Sequence, residues 1–346
     1  MAGTPRPAGG RAEREARARC AEFLAGVGFS STETPFQYSR VPGLLATPGF
    51  GLAWIVVIAA VGHLGAHGHP RWGVGLLVVF GVGMAVAARW LIREGVLSLP
   101  FGRSGGINLV ATRGVAPKVW LVAHIDSKSQ PLPILVRALG IATCVVVWWA
   151  AVVVGVLGWG GMVPWVWITG AGVIAGIPVA MSWVGARSPG ALDNASGVAT
   201  VLLAAARVPR SVPVGVVLTS AEELGLAGAR AFFRALRPPE GGGGVVLNCD
   251  VVDDCGYLTA MYSGWSRPEW IGRVFGGAAR ATPLPPGVLV DAVACREEGW
   301  EAVTLTRGTV RSWGRIHSRR DTADRLTGAG VEATATVLAA AVQALA

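Results

Sequence analysis

Residues 119–127 read Val-Trp-Leu-Val-Ala-His-Ile-Asp-Ser, an apolar run that gives way to a histidine and an aspartate. A short uncharged run of this kind, rich in β-branched residues, is typical of a strand buried on both faces of a sheet. Polar side chains that directly follow such a strand lie at its carboxyl end, where α/β sheets bind ligands. The stretch therefore predicts a buried strand that presents His124 and Asp126 at a ligand-binding edge.

Strand and helix patterns alternate on both sides of this stretch. Strands are predicted at residues 29–39, 107–111, 118–124, 212–220 and 245–252, and helices at residues 11–27, 197–207 and 226–236. Alternation of this kind predicts an α/β fold with a mostly parallel sheet and helices on both faces.

The composition is too apolar for an ordinary soluble domain, since 52% of the 346 residues are hydrophobic and only 15% are charged. Four apolar stretches occur in two pairs, at residues 50–64, 73–92, 138–157 and 162–184. Each approaches the roughly 20 helical residues that cross a bilayer. Two transmembrane helical hairpins are therefore predicted to interrupt the α/β domain.

Domain boundaries follow from these assignments. Residues 1–49 supply the first helix and strand of the α/β domain, 50–93 the first hairpin, 94–137 strands with the His-x-Asp motif, 138–184 the second hairpin, and 185–346 the remainder. Within the first segment, the prolines and glycines at positions 42, 43, 48 and 49 predict a linker.

The net charge of +9 arises from basic residues that flank the apolar runs. Six arginines precede the first run and seven basic residues surround the segment between the hairpins, whereas the opposite side has only Arg71. The positive-inside rule then predicts a multi-pass protein of the cell membrane, with both termini and the α/β domain in the cytoplasm. A lipid bilayer is the expected partner. Nucleic acid is not expected, because no basic stripe interleaved with aromatic residues occurs.

Three other groups of potential metal ligands have simpler explanations. The five cysteines are scattered without a Cys-x-x-Cys pair, which argues against a disulfide framework and a thiolate zinc site. His63, His67 and His69 could form a metal cluster, but a polar hairpin turn explains them with fewer assumptions. Four further acids are interpreted as exposed loop charges: Asp253, Asp254, Glu297 and Glu298.

Acidic and histidine residues cluster at the predicted strand ends and nearby loops. Beyond His124 and Asp126 they are Asp193, Glu222, Glu223, Asp250 and His317. Two zinc ions a few ångströms apart need such a mixture of nitrogen and oxygen ligands, with one carboxylate between them. A spare carboxylate is also needed to accept a proton from water. The residues therefore predict a two-metal hydrolytic site.

Five short motifs occur in order: Ala-His-Ile-Asp-Ser at 123–127, Asp-Asn-Ala-Ser-Gly at 193–197, Ala-Glu-Glu-Leu-Gly at 221–225, Asn-Cys-Asp at 248–250, and His-Ser-Arg-Arg-Asp-Thr at 317–322. In these motifs the chain resembles the zinc aminopeptidases of the bacterial leucyl aminopeptidase and aminopeptidase Y type, in peptidase clan MH. Glutamate carboxypeptidase and glutaminyl cyclase are relatives of that family.

 

The resemblance implies two Zn²⁺ ions per chain, a peptide substrate and aminopeptidase activity. His124 and His317 would be terminal ligands on different metals, Asp193 the bridging carboxylate, and Glu223 and Asp250 the remaining ligands. Glu222 would be the general base, and Asp126 would orient the imidazole of His124. The same site could serve a carboxypeptidase or a glutaminyl-cyclase-like enzyme, and a catalytically silent membrane scaffold could keep the fold.

Each motif also has a structural interpretation. His124 and Asp126 could form an ion pair at a strand end, and Asp193 could cap a helix. Glu222 and Glu223 could lie in a solvated loop, and residues 321–322 could cap the last helix. Only the joint occurrence of the motifs favours the metal site.

The chain departs from this family at three places. Residues 133–184 insert a hydrophobic hairpin between His124 and Asp193, where relatives have a short loop. Val290-Asp291-Ala292 stands where many relatives have Ser-Asp-His. Residues 307–316 include Trp313 but no tyrosine to steady an oxyanion. These departures concern substrate choice more than metal binding.

Overall fold

The computed structural model describes residues 2–239 and 244–346. The chain divides into two compact units. The first comprises the residues up to Ser39, Leu97–Ser129 and Ala186–Ala346, and the second comprises Arg40–Val96 and Gln130–Gly185. Each unit is therefore built from segments that are discontinuous in sequence.

Eight strands of the first unit form one sheet. They are β1 (Ser30–Ser39), β2 (Arg103–Arg113), β3 (Val119–His124), β4 (Val214–Thr219), β5 (Val245–Val252), β6 (Leu258–Tyr262), β7 (Arg280–Pro283) and β8 (Glu301–Arg307). Their order across the sheet is β1-β2-β4-β3-β5-β8-β6-β7. The central strands β4, β3, β5 and β8 are parallel, and antiparallel pairs join β1 to β2, β2 to β4, and β8 to β6. The predicted α/β fold with a mostly parallel sheet is confirmed.

The α-helices are numbered along the whole chain. They are α1 (Arg11–Gly26), α2 (Val41–Ala66), α3 (Pro70–Trp90), α4 (Val96–Ser98), α5 (Ile134–Val156), α6 (Met162–Ala180), α7 (Ser196–Arg207), α8 (Ala227–Leu236), α9 (Glu269–Phe275), α10 (Asp291–Glu297), α11 (Val310–Trp313) and α12 (Ala329–Leu345). Shorter 3₁₀ or π turns occupy Leu91–Gly95, Ala191–Ala195, Glu222–Leu224 and Ala323–Arg325.

The central strands are covered on both faces, because successive side chains of a strand point to opposite sides. On β3, Leu121 packs into the apolar core that includes residues of α1, α7 and α12. Its neighbours Trp120 and Val122 pack on the other face, in a core with residues of α8 and α10. This two-sided burial explains why the strand sequences are continuously apolar.

The second unit contains four helices that are long and apolar enough to cross a membrane. These are Val41–Ala66, Pro70–Ser98, Ile134–Val156 and Met162–Ala180. The first begins at Val41, so the predicted linker at residues 42–49 is wrong. Pro42 lies in the first turn of α2, where its missing N–H has no helical partner to lose. The helix therefore begins before the predicted apolar stretch at residues 50–64 and continues through Pro48.

Small residues let α2 and α6 approach closely. A Cβ atom built on Gly51 would lie 2.3 Å from the backbone nitrogen of Ala180. The indole Nε1 of Trp54 donates a hydrogen bond to the carbonyl oxygen of Gly172, at 2.8 Å. Close backbone contact through small residues is typical of helices that associate in lipid. Large apolar side chains such as Val79, which is 71% exposed, face outward.

Candidate metal centre

The site is built at the carboxyl ends of three adjacent parallel strands. In β3 and β4, His124 pairs in register with Thr219, and β5 lies on the other side of β3 and carries Asp250. Glu222 and Glu223 follow the end of β4 after two intervening residues, in the 3₁₀ turn Glu222–Leu224. Carboxyl ends of parallel strands share one edge of a sheet, which explains how residues so distant in sequence meet.

Two loops complete the site. Asp193 lies in the turn Ala191–Ala195 that leads into α7, and His317 lies in the loop between α11 and Ala323–Arg325. Ala221 and His317 have φ angles of 56° and 58°, in the left-handed region. This conformation costs a side-chain-bearing residue about 1–3 kcal/mol and persists only where the surrounding structure holds it. The chain thus makes two sharp turns at the site.

Six side chains from five segments converge into two groups that could each hold a metal ion. One group is His124, Glu222 and Asp250, and the other is Asp193, Glu223 and His317. Within each group the ligand atoms lie within 4.8 Å of one another, and all six residues are buried. The structure therefore brings together every ligand named from the sequence, together with Glu222.

Asp193 lies between the two histidines. Its Oδ1 atom is 3.2 Å from Nε2 of His124, and its Oδ2 atom is 3.0 Å from Nε2 of His317. Burial alone would raise the pKa of Asp193, but hydrogen bonds from the two imidazoles outweigh burial and lower the pKa below its ordinary value. The carboxylate therefore stays ionised and presents one oxygen to each group.

Two buried carboxylate oxygens at the site are poorly hydrogen-bonded by protein groups and would suit a cation. Within the described residues, Oε1 of Glu223 and Oδ1 of Asp250 have no hydrogen bond of good geometry, and the nearest imidazole nitrogens, Nε2 of His317 and Nε2 of His124, lie 3.3 and 3.6 Å away. A buried charged oxygen without a well-formed hydrogen bond is costly. Carboxylate oxygens beside imidazole nitrogens are also the donor set that zinc uses in hydrolytic sites. The residues present therefore fit a pair of divalent metal ions.

The surrounding polar groups fix the positions of these side chains. Nδ1 of His124 lies 3.0 Å from the main-chain oxygen of Asp126, whereas the Asp126 carboxylate is 3.7 Å away. That carboxylate instead accepts hydrogen bonds from the backbone N–H groups of Glu222 and Glu223, at 3.2 and 3.3 Å. Asp126 thus contacts the His124 ring through its carbonyl and the glutamate turn through its side chain.

Asp321 holds the backbone of the loop that carries Asp193. Its two carboxylate oxygens accept hydrogen bonds from the N–H groups of Leu192 and Asp193, at 2.6 and 3.1 Å. The last helix begins at Ala329, so the interpretation of residues 321–322 as its cap is wrong. Burial raises the pKa of Asp321 to about 6.

The adjacent glutamates have different electrostatic surroundings. Burial raises the pKa of Glu222 well above its ordinary value, and the carboxylates of Glu223, Asp291 and Asp250 add to this effect against the opposing charge of His124. Burial would also raise the pKa of Glu223, but Lys128 and His317 outweigh it and lower that pKa to about 2. Glu222 therefore holds a proton far more readily than Glu223.

Two residues near the site are absent from the sequence-based assignment. Lys128 places its Nζ atom 2.6 Å from Oε2 of Glu223. Asp291 is buried at the start of α10, where it accepts a hydrogen bond from the Thr219 hydroxyl at 2.5 Å. Lys128 follows Asp126 by two residues, but nothing in the sequence pairs it with Glu223. In the sequence, Asp291 was noted only as part of Val290-Asp291-Ala292, the segment that stands where many relatives have Ser-Asp-His.

Comparison with known families and structures gives a consistent picture. The sequence model described as Peptidase family M28 matches residues 108–342. No curated protein sequence gives a significant match.

Several solved structures share the fold. An aminopeptidase from Aneurinibacillus sp. strain AM-1 aligns with 15% identity over 99% of this chain and 90% of that one, with a TM-score of 0.54. BSAP, a zinc aminopeptidase from Bacillus subtilis, has 14% identity over 98% and 90% of the two chains, and a TM-score of 0.54. A glutaminyl cyclase from Fimbriiglobus ruber gives the same four values. At these identities the similarity concerns the fold alone.

Proposed function

The chain belongs to peptidase family M28, and from this premise we propose that it is a membrane-bound metallopeptidase with two zinc ions that acts as an aminopeptidase. The family implies peptide substrates. The observation that carries the proposal is the convergence of six buried acidic and histidine side chains into two adjoining groups of ligand atoms. Aminopeptidase activity is supported by the descriptions of the structures from Aneurinibacillus and Bacillus subtilis.

We assign the metal ligands as His124 and Asp250 on one ion and His317 and Glu223 on the other, with Asp193 shared. The two distances from Asp193 to the imidazoles, 3.2 and 3.0 Å, support the shared role. Oε1 of Glu223 and Oδ1 of Asp250, which lack hydrogen bonds of good geometry and lie beside imidazole nitrogens, support direct ligation. Asp126 is assigned a positioning role, because its carboxylate and carbonyl contact three residues of the site.

Glu222 is assigned as the general base. When bound, the zinc ions would polarise the scissile carbonyl and make a water molecule more acidic. The raised pKa of Glu222 suits a carboxylate that accepts a proton from that water and returns it to the leaving amine. Glu223, whose pKa is about 2, remains ionised and suits ligation instead.

The four apolar helices support attachment to a lipid bilayer. Their outward-facing valines and tryptophans would be poorly solvated in water but are compatible with lipid. The distribution of basic residues supports an orientation in which both hairpin turns lie outside and the peptidase unit and both termini lie in the cytoplasm.

The proposal is tested with the full chain purified in detergent and loaded with zinc. Metal analysis should give two zinc ions per chain. Glu222→Gln should lower kcat by about 100- to 10,000-fold without loss of zinc, because it removes the proton acceptor alone. Glu22→Gln, on the exposed face of α1, is the matched control and should retain full activity.

Product analysis separates the related activities. Peptides with a free amino end should be cleaved from that end, and acetylation of that end should block cleavage. Cleavage that depends on a free carboxyl end would indicate a carboxypeptidase, and loss of ammonia would indicate a glutaminyl cyclase. Absence of bound metal together with absence of turnover would leave only a silent scaffold.

A further inference from the structure

We propose that Arg6 is a positioning residue for the metal centre, and that the N-terminal arm, defined as residues 2–10, is therefore a functional part of that centre. The inference rests on the proposed function of the site. Arg6 is 121 residues from its contact at Ser127 and 184 residues from its contact at Gly190. Its role is thus invisible in the local sequence.

The guanidinium of Arg6 donates hydrogen bonds to the loop that follows His124 and to the loop that precedes Asp193. Its Nε atom donates to the carbonyl oxygen of Ile125, at 2.8 Å, between His124 and Asp126. Its two terminal nitrogens donate to the carbonyl oxygens of Pro189 and Gly190, at 2.7 and 2.8 Å. One planar group therefore joins the two loops by three hydrogen bonds.

The main chain of the arm reinforces this link. The N–H of Arg6 donates to Oγ of Ser127 at 2.9 Å, and the N–H of Ser127 donates to the carbonyl oxygen of Arg6 at 2.8 Å. The Ser127 hydroxyl in turn donates to the carbonyl oxygen of Ser188, at 3.1 Å. The side chain and the backbone of Arg6 thus reach the same two loops.

The guanidinium of Arg6 is a charged group in the interior of the protein. Its side chain is completely buried, and burial lowers the pKa of Arg6 below its ordinary value, while the carboxylates of Asp126, Asp321 and Asp193 favour its charged form. A buried charge is tolerated only where it is paired and hydrogen-bonded. Lysine could supply the charge at this position, but it could not reproduce the flat fork of donors that arginine presents.

The close fit at Gly190 supports the same conclusion. Gly190 has a φ angle of 64°, and a Cβ atom there would lie 2.5 Å from Cβ of Ser127 and 3.1 Å from a terminal nitrogen of Arg6. The loop therefore approaches both the arm and the His124 loop too closely to admit a side chain.

The chain needs such a link because the direct connection between the two loops is long. Residues 130–185, which separate them in sequence, belong to the second unit. A long connection restrains its two ends only weakly. Arg6 provides the restraint through hydrogen bonds that do not depend on that connection.

The test compares Arg6→Lys and Arg6→Met with Arg14→Met in the full-length protein. Arg14 is exposed on α1 and serves as the matched control. Removing a group that orients metal ligands typically lowers metal affinity by about 10- to 100-fold, and this is the loss expected for both Arg6 variants. Their cobalt(II) absorption spectra should differ from that of the wild type, and kcat should fall more than KM rises.

Guanidinium ion should partly restore metal affinity to an Arg6→Ala variant, which a general loss of folding would not permit. If the Arg6 variants do not fold, Ser127→Ala removes the hydroxyl that joins the arm to Ser188 and should weaken metal binding to a smaller extent. Wild-type affinity and cobalt spectrum in the folded Arg6 or Ser127 variants would overturn the proposal.

Hydrogen exchange separates this inference from the proposed function. Amides of residues 124–127 and 188–194 should exchange faster in Arg6→Lys than in the wild type, with or without metal. A wild type that binds no metal would refute the metallopeptidase, while exchange in these loops would still test the link. Unchanged exchange in both loops would refute the role of Arg6.

Discussion

At the scale of single residues, Glu222 and Glu223 show how surroundings set chemistry. They are identical and adjacent, yet the pKa of Glu222 is raised and that of Glu223 is lowered to about 2. The difference arises from residues of other segments, chiefly Lys128 beside Glu223. Environments that push two carboxyl pKa values apart are typical of acid–base sites.

Lys128→Met is expected to weaken metal binding most at low pH. Without the ammonium group 2.6 Å from Glu223, burial is opposed only by His317 and the pKa of Glu223 rises. A metal ligand must lose its proton, so the affinity deficit should grow as the pH falls from about 8 to about 5.5. Competition with a chelator at several pH values measures this.

Lys118→Met is the control for that change, because Lys118 is exposed. It should leave the metal affinity and its pH dependence unchanged. An equal loss of affinity at both ends of the pH range in Lys128→Met would show that the ammonium group does not control the protonation of Glu223.

The residue types and motifs named seven side chains that the structure brings together, and the roles assigned to them stay predictions, but some local interpretations were wrong. None of the four acids interpreted as exposed loop charges is exposed. Asp253, for example, accepts hydrogen bonds from Ser312 and Arg315 at 2.6 Å each. Their partners are distant in sequence, so local polarity alone could not identify them.

At the scale of elements, apolar patterning identified β1 to β5 and the helices α1, α7 and α8, but no strand was predicted at β6, β7 or β8. Element ends were less certain, as the start of α2 at Val41 illustrates. Proline and glycine usually mark a break, but the helix continues through Pro48. Packing of α2 against α6 outweighs the local preference of these residues.

Gly51→Ala is expected to destabilise the packing of α2 against α6. The added Cβ atom would lie 2.3 Å from the backbone nitrogen of Ala180, which cannot move like a flexible side chain. Overpacking of this kind typically costs about 1–3 kcal/mol. Thermal melting in detergent should therefore show a Tm lower by several degrees.

Gly49→Ala tests whether this loss is specific. Gly49 lies on the same helix, and a Cβ atom there would meet nothing within 4 Å. The variant should match or slightly exceed the wild-type Tm, because alanine favours helix over glycine. Equal losses in the two variants would indicate a helix effect and not a packing effect.

At the scale of the whole molecule, two hairpins interrupt a peptidase fold. His124 and Asp193 belong to one site although the segment Gln130–Gly185 of the second unit lies between them in the chain. An even number of crossings returns the chain to the side from which it left. All segments of the peptidase unit can therefore lie on one side of a bilayer.

Labelling with a membrane-impermeant maleimide tests the orientation. His67→Cys places a thiol in the first hairpin turn and should react in intact cells, in a Cys255→Ser background. The native Cys255 is exposed in the peptidase unit and should react only after permeabilisation. Reaction of Cys255 in intact cells, with protection of position 67, would reverse the proposed topology.

The sequence by itself determined the α/β class, the four apolar helices and the residue types of the candidate metal centre. These properties depend on periodicity, apolar length and short motifs, which are local. Only the tertiary structure decided that Asp193 lies between two histidines, that Lys128 meets Glu223, and that Arg6 joins two loops. The physical reason is that such contacts depend on the order of strands in the sheet and on packing between distant segments, where many partners are compatible with the same local pattern.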